Sequence, residues 1–231
     1  MSSSLSVTHV QTVPYSDEEL AEISDKFEDA PAAEIIGWAA ETFGHHLALA
    51  ASMADALLID LATKIDPAIE VMFIDTGYHF PETLDTVETI RRRYGLNLRI
   101  MTVAPHDEEL WKVDPENCCS AVKVGQLDRA LASKQAWMSG LRRDESPARA
   151  DAPIVGRDLR GLVKVNPLAN WTHQQAEAYI AEHDIPYNPL LDQGYASIGC
   201  WPCTKPVAPG EDPRSGRWAD RDKTECGLHL A

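Results

Sequence analysis

Five cysteines are spaced in a way that could do thiolate chemistry. Cys200 and Cys203 form a C-x-x-C pair within Ser197-Ile198-Gly199-Cys200-Trp201-Pro202-Cys203-Thr204, Cys118 and Cys119 are adjacent, and Cys226 stands alone in Glu225-Cys226-Gly227-Leu228-His229. Two pairs and one single thiol match a four-thiolate metal centre plus a free cysteine. Three other readings compete with that one. A redox dithiol usually opens a helix after a strand, whereas Pro202 lies inside this pair and Pro206, Pro209 and Gly210 follow it. Two disulfides would leave the fifth thiol over, and nothing marks the chain as secreted. Unrelated buried cysteines are the third alternative. Four thiolates suit zinc or an iron–sulfur cluster. The adjacent pair counts against one zinc ion, because neighbouring side chains diverge on a helix or strand. A cluster offers each sulfur its own iron. Neither common ferredoxin spacing is present, so on the residues alone the metal stays open.

Other catalytic patterns are absent: there is no H-E-x-x-H, no G-x-S-x-G and no G-x-G-x-x-G. The candidate nucleophile is therefore the leftover thiol Cys226, which is inert unless its surroundings lower its pKa. Lys123 follows the Cys118–Cys119 pair within about one helical turn, close enough to offset the thiolates or to meet an anion.

The elements that must position these groups alternate. Ser16 and Glu19 make a capping box before Leu20, Ile23 and Phe27, and a second helix is expected from Ala32 to Phe43, stopped by Gly44. Leu47–Ala50 reads as a buried strand with His45 and His46 as polar groups leading into it. Ala51-Ser52-Met53-Ala54-Asp55 then turns into a helix that ends before Pro67. Strand, small-residue turn and helix can present a helix N-terminus to phosphate, although the Walker glycines and lysine are missing. Val71–Ile74 is the next strand, ending in Asp75-Thr76-Gly77-Tyr78. A helix follows from Pro81 to Gly95, with Arg91-Arg92-Arg93 at its C-terminus, and then a strand from Leu96 to Val103. A helix is expected to begin at Asn117, which would place the first cysteine pair at its N-terminus. A strand over 135–139, a loop over 145–160, a last strand over 162–165 and a helix from Thr172 through Ile180 complete the order. This β–α–β alternation calls for a mostly parallel sheet with helices on both faces. Three parts are expected: an N-terminal helical segment (1–44), an α/β domain (45–185), and an irregular segment (186–231) with the C-x-x-C and a mobile tail bearing Cys226. No internal repeat is evident.

The chain has 231 residues with 44% hydrophobic and 25% charged content, ordinary for a globular protein. No apolar run approaches a membrane span, and Met1-Ser2-Ser3-Ser4 lacks the plan of a signal peptide, so a cytoplasmic location is expected. The net charge of −15 argues against nucleic acid as a partner. Residues 1–116 hold 22 of the 36 acidic but only 7 of the 21 basic residues, so an anionic substrate would find its cations mostly in the second half.

In this order the segments resemble the assimilatory sulfonucleotide reductases, and among them the cluster-containing adenylyl-sulfate reductases. The likeness runs from Leu47 to His229. It rests on Phe73-Ile74-Asp75-Thr76-Gly77-Tyr78-His79-Phe80, Cys118-Cys119 with Lys123, Gly140-Leu141-Arg142-Arg143 and Lys164-Val165-Asn166-Pro167-Leu168. The Ser197–Thr204 stretch, Arg214-Ser215-Gly216-Arg217-Trp218 and Glu225–His229 complete it. The resemblance implies an adenine-nucleotide-binding α/β fold related to the ATP pyrophosphatases. It also implies one [4Fe-4S] cluster on Cys118, Cys119, Cys200 and Cys203. The implied reaction is thioredoxin-dependent reduction of adenylyl sulfate to sulfite and AMP through an S-sulfocysteine on Cys226, in sulfate assimilation. Ser52, Asp75, Thr76 and Gly77 would frame the nucleotide, and Lys123, Arg142, Arg214 and Arg217 would meet the sulfate. A homo-oligomer is compatible with this reading. The runner-up readings are a reductase of the 3′-phosphorylated nucleotide, which usually lacks both cysteine pairs, and a non-catalytic metal-thiolate protein. The chain departs from the family at Val122, where Arg is common, and in its short turn at Ser52.

Overall fold

Leu47–Ala50 (β1) and Glu70–Asp75 (β2) are apolar runs too short for stable helices, and both lie in the interior of one sheet. The computed structural model describes residues 13–103 and 110–218. Asn97–Thr102 (β3), Ala136–Ser139 (β4), Val155–Arg157 (β5) and Val163–Val165 (β6) complete the six strands. Their order is β3-β2-β1-β4-β6-β5, parallel throughout except that β5 runs antiparallel to β6.

Helices cover both faces of the sheet. Asp17–Lys26 (α1), Ala32–Phe43 (α2), Leu57–Ile65 (α3), Pro81–Tyr94 (α4) and His173–Glu182 (α8) contribute to a large core that includes Leu47, Leu49, Val71, Phe73, Ala136 and Met138. The residues between those positions, Ala48, Met72 and Trp137, point the other way and meet Leu127, Ala130 and Leu131 of α7 (Gly125–Leu131). Strand side chains alternate between faces, so each short strand serves two cores.

Two local expectations need correction. The stretch 145–160 is not all loop. Val155 and Ile154 donate their N–H groups to Ser24 Oγ of α1 at 3.3 and 3.0 Å, and Val155 pairs with Val165, which makes β5 an edge strand. The first cysteine pair does not open an α-helix. The helical run starts at Pro115, where Asp114 accepts the Asn117 N–H at 3.1 Å; α5 (Leu110–Val113) and α6 (Pro115–Asn117) lead into a π-helical stretch from Cys118 to Val124.

The carboxyl ends of β1, β2, β4 and β6 lie along one edge of the sheet. From β1 the chain proceeds to β2 on one side, and from β4 to β6 on the other. The gap between β1 and β4 is therefore the point where strand order reverses, the place where open parallel sheets bind ligands. Residues 186–218 add single 3₁₀ turns at Leu191–Gln193 and Trp201–Cys203 and two isolated bridges, Tyr187 with Asp55 and Thr204 with Arg217. No helix among the described residues is long and apolar enough to cross a membrane.

Candidate active site at the cysteine pocket

The turn after β2 is built from its own side chains. Asp75 Oδ1 accepts the Gly77 N–H at 2.9 Å, and Gly77 takes φ 74°, a conformation glycine adopts without a Cβ clash. Thr76 is buried, and its Oγ1 accepts the Tyr78 N–H at 3.3 Å while lying 3.3 Å from Cys200 Sγ. Against a thiolate, the hydroxyl is the donor of that contact. The Tyr78 carbonyl accepts the Trp201 N–H at 2.8 Å. One side chain and one main-chain bond thus tie the C-x-x-C loop to the end of a central strand. His79 donates from Nε2 to the Ile74 carbonyl at 2.9 Å and lies against Phe73, with ring centroids 4.9 Å apart. Burial holds its pKa below the ordinary 6.5 despite that bond, and the Lys123 charge adds to the effect.

Cys200 and Cys203 are held by short-range bonds. The Cys203 N–H and the Thr204 hydroxyl both donate to the Cys200 carbonyl, at 3.0 and 2.9 Å. Thr204 pairs with Arg217 across a short ribbon in which Lys205 N–H meets Gly216 O and Trp218 N–H meets Cys203 O, both at 2.9 Å. Gly216 permits this approach, since a Cβ there would stand 2.1 Å from the Lys205 oxygen. Arg217 donates from Nη1 to Ser197 Oγ and Ile198 O at 3.3 and 3.2 Å and stacks 4.5 Å over the Trp218 ring.

These segments enclose one pocket. Cys118, Cys119, Cys200 and Cys203 all line it, together with Thr76, Tyr78, Trp111, Val122, Lys123, Arg217 and Trp218. All four thiols are free of disulfides and half-buried. Trp111 and Trp201 meet edge to face, 5.9 Å apart. In a π-helix the hydrogen bonds run i→i+5 and the turn is wider, so adjacent residues diverge less than in an α-helix, and both Cys118 and Cys119 reach the pocket. Among the described residues no three His, Cys, Asp or Glu side chains converge as ligands of a single ion. The donor set is instead four sulfurs spread over two segments, which fits a cluster that gives each thiolate a separate iron.

Of the other expected residues, Thr76, Lys123 and Arg217 line this pocket, whereas Ser52, Asp75, Gly77, Arg142 and Arg214 are not among its lining residues. Ser52 is exposed in the turn after β1, beside Met53, which is buried in the left-handed conformation at φ 61°. Asp55 accepts the Leu57 N–H at 3.0 Å; burial pushes its pKa up, against that bond and the Arg142 charge. Arg142, just beyond β4, already faces Asp144 at 3.5 Å and Glu145 at 3.4 Å. Arg214 lies 5.9 Å from the Trp218 ring, with its main-chain N–H on Asp212. Cys226 lies outside the described residues. The sequence reading did not single out Tyr78, Trp111 or Trp218 as pocket residues, nor the bond of 2.8 Å from Ser139 Oγ to Asn166 Oδ1 that joins the ends of β4 and β6. The signal for Trp218 was its place beside Arg217. Trp111 had none, because it precedes the pair in a segment without clear periodicity.

Residues 45–206 match the family model of the phosphoadenosine phosphosulfate reductase domain. The chain is 47% identical over 225 residues to the adenosine 5′-phosphosulfate reductase of Streptomyces coelicolor, covering 92% of this chain and 95% of that one. It is 44% identical over 225 residues to the phosphoadenosine 5′-phosphosulfate reductase of Gloeobacter violaceus, covering 91% and 93%. In structure it resembles the phosphoadenylyl-sulfate reductase of Candida auris, with a TM-score of 0.75 at 29% identity over 85% of this chain and 100% of the other.

Proposed function

The chain belongs to the phosphoadenosine phosphosulfate reductase domain family, and from that premise we propose that it reduces adenylyl sulfate to sulfite and AMP with thioredoxin as electron donor. The observation that carries the reading is the pocket on which two cysteine pairs and Lys123 meet beside the β2 turn. The relative from Streptomyces coelicolor, named for the non-phosphorylated substrate, supports the same choice.

The Cys226 thiolate attacks the sulfate sulfur, forming an S–S bond as the bond from sulfur to the bridging phosphate oxygen breaks. AMP leaves with that electron pair. A thioredoxin thiolate then attacks Cys226 Sγ and releases sulfite; its second thiol closes the thioredoxin disulfide and frees Cys226. Two electrons pass from dithiol to sulfur, so the balance closes. Splitting the reaction through a covalent adduct needs a thiolate nucleophile, and the sulfonyl group in flight needs fixed positive charge. Lys123, Arg142, Arg214 and Arg217 are the proposed cations; Ser52, Asp75, Thr76 and Gly77 frame the nucleotide at the strand ends. Arg142 serves only as its ion pairs with Asp144 and Glu145 yield. Cys118, Cys119, Cys200 and Cys203 would hold one [4Fe-4S] cluster, which would supply iron–thiolate bonds joining the π-helical stretch to the C-x-x-C loop. In this reading residues 45–185 bind nucleotide and 186–231 deliver the thiol, within a cytoplasmic protein of sulfate assimilation.

Mixing the anaerobically purified protein with adenylyl sulfate and no thioredoxin tests the mechanism. About one AMP per site should be released, and peptide mass spectrometry should find one sulfite adduct on Cys226. Cys226→Ser should keep iron and bind AMP, yet make no sulfite. Normal sulfite production by that variant would end the proposal. A kcat/KM for the 3′-phosphorylated nucleotide equal to or above that for adenylyl sulfate would transfer the assignment to the other substrate.

A further inference from the structure

The turn after β1 owes little to its own side chains. Ser52 Oγ accepts the Ala54 N–H only at the outer limit of 3.5 Å, and Asp55 Oδ1 accepts the Leu57 N–H at 3.0 Å. Met53 stands between them, wholly buried at φ 61°, an uncommon conformation for a residue other than glycine. A segment distant in sequence closes on this turn. The Ala56 N–H meets the Pro186 carbonyl at 3.0 Å and the Asn188 N–H meets the Ala54 carbonyl at 2.8 Å, so Asp55 and Tyr187 face one another in an antiparallel bridge.

Asn188 joins that bridge to a second turn. It has no exposed surface, 0%, and its amide is used at both ends. Oδ1 accepts the Leu190 N–H at 3.0 Å, and Nδ2 donates to Thr83 Oγ1 at 2.9 Å, in the first turn of α4. Because a main-chain N–H can only donate, that bond fixes which end of the amide meets the hydroxyl. Thr83 is 1% exposed, and its own N–H donates to the Phe80 carbonyl at 3.0 Å, where the turn after β2 enters the helix. Further along, Tyr195 meets the Phe80 ring edge to face at 5.4 Å before the chain reaches the C-x-x-C loop. A buried amide is costly unless paired, and a fully paired one holds its segments in a single arrangement.

We infer that Asn188 is a positioning residue for the nucleotide: it locks the turn after β1 to the first turn of α4 and so sets the span between Ser52 and Asp75–Gly77. The inference rests on the reading above that these residues frame the nucleotide. Asn188 touches no substrate; it acts through the two turns. Thr83 is the other half of the lock, so removing either partner loosens the same span.

The test uses the full chain, purified without oxygen, as wild type, Asn188→Ala, Thr83→Val, Thr83→Ser and the double variant Asn188→Ala/Thr83→Val. Ser24→Ala is the control: it removes the buried hydroxyl that accepts the Ile154 and Val155 N–H groups and touches neither turn. Calorimetry gives the Kd for AMP, single-turnover AMP release gives the half-saturating adenylyl sulfate concentration and the limiting rate, and urea midpoints give stability. The Kd and the half-saturating concentration should rise together, about tenfold in Asn188→Ala and less in Thr83→Val, with the limiting rate held. Thr83→Ser, which keeps the hydroxyl, should match wild type, and the double variant should be no weaker than Asn188→Ala. Ser24→Ala should lose stability and keep its AMP affinity. AMP affinity unchanged in both Asn188→Ala and Thr83→Val would overturn the inference. So would an equal loss of affinity in Ser24→Ala, which would make the effect general loosening, or a fall in limiting rate with affinity unchanged. If Asn188→Ala does not fold, the contrast between Thr83→Val and Thr83→Ser decides alone, and equal affinities in those two overturn the inference. Wild-type protein that binds no AMP would overturn the nucleotide-frame reading and this inference with it, a result visible before any variant is made.

Discussion

The sheet and the cysteine pocket adjoin at Thr76 but are held by different forces. Ile36, Ala48, Val71 and Met138 are wholly buried, and five of the six strands are joined by parallel ladders. The pocket buries none of its four cysteines completely; its loop 197–204 is fastened by a hydroxyl-to-carbonyl bond, a short ribbon and an edge-to-face pair of tryptophans. Apolar burial gains about 25 cal/mol per Å², whereas a net hydrogen bond gives only about 1 kcal/mol. The sheet can therefore stand without the pocket, while the pocket depends on the sheet and, under the proposed cluster reading, on the iron its thiolates would hold.

That asymmetry can be broken in four places. The largest effect is expected from Cys200→Ser, which should abolish iron binding while leaving the urea midpoint of the sheet, followed by far-ultraviolet circular dichroism, where it was. An equal fall in both would show that the two regions are one cooperative unit. Next comes Trp137→Ala. Trp137 is buried at 1% exposure, donates Nε1–H to Asp158 at 2.9 Å, and belongs to the smaller core. Its loss should cost about 3–5 kcal/mol in urea unfolding and release iron in the same transition, since the pocket cannot outlast the sheet. Thr76→Val should fall between the regions. It leaves the Tyr78 N–H without its acceptor and Cys200 without its hydroxyl, costing about 1–3 kcal/mol, and it should quicken iron loss to a chelator well before unfolding. An unchanged rate of iron loss would place the joint elsewhere.

The smallest effect is a pH dependence. Burial lowers the His79 pKa in the fold, so below pH 6.5 the unfolded chain takes up the proton first. Stability contributed by neutral His79 is present above that value and is lost as pH falls towards the depressed folded pKa. Urea midpoints of wild type should decline on going from pH 7.5 to 5.5 by more than those of His79→Gln. Equal slopes would remove His79 as the cause.

Legibility followed the same division. The strands at Leu47–Ala50 and Val71–Ile74 were readable because burial on both faces demands continuous apolar residues. The capping boxes at Ser16 and Thr172 were readable from local chemistry alone. β5 was hidden: it has three residues, one of them Gly156, and its entry is held by Ser24 from a distant helix, which accepts the N–H groups of Ile154 and Val155. The π-helical stretch was hidden too, since nothing in Cys118-Cys119-Ser120 distinguishes i→i+5 from i→i+4 bonding. At the site, spacing alone brought out the two cysteine pairs, but it could not distinguish Arg142, faced by carboxylates from its own loop, from Arg217, which lines the thiols.

The ribbon between 203–205 and 216–218 sets a tether length. Trp218 is fixed to the Cys203 carbonyl, and Cys226 lies eight residues beyond it. At most about 3.6 Å per residue, the Cys226 Cα stays within about 29 Å of the Trp218 Cα in any conformation. A thiol confined to so small a sphere acts at an effective concentration on the order of millimolar, whatever the enzyme concentration. If Cys226 is the nucleophile proposed above, each turnover would begin with the attacking thiol already tethered near the pocket, and an electron donor would have to reach Cys226 Sγ within that sphere to release sulfite.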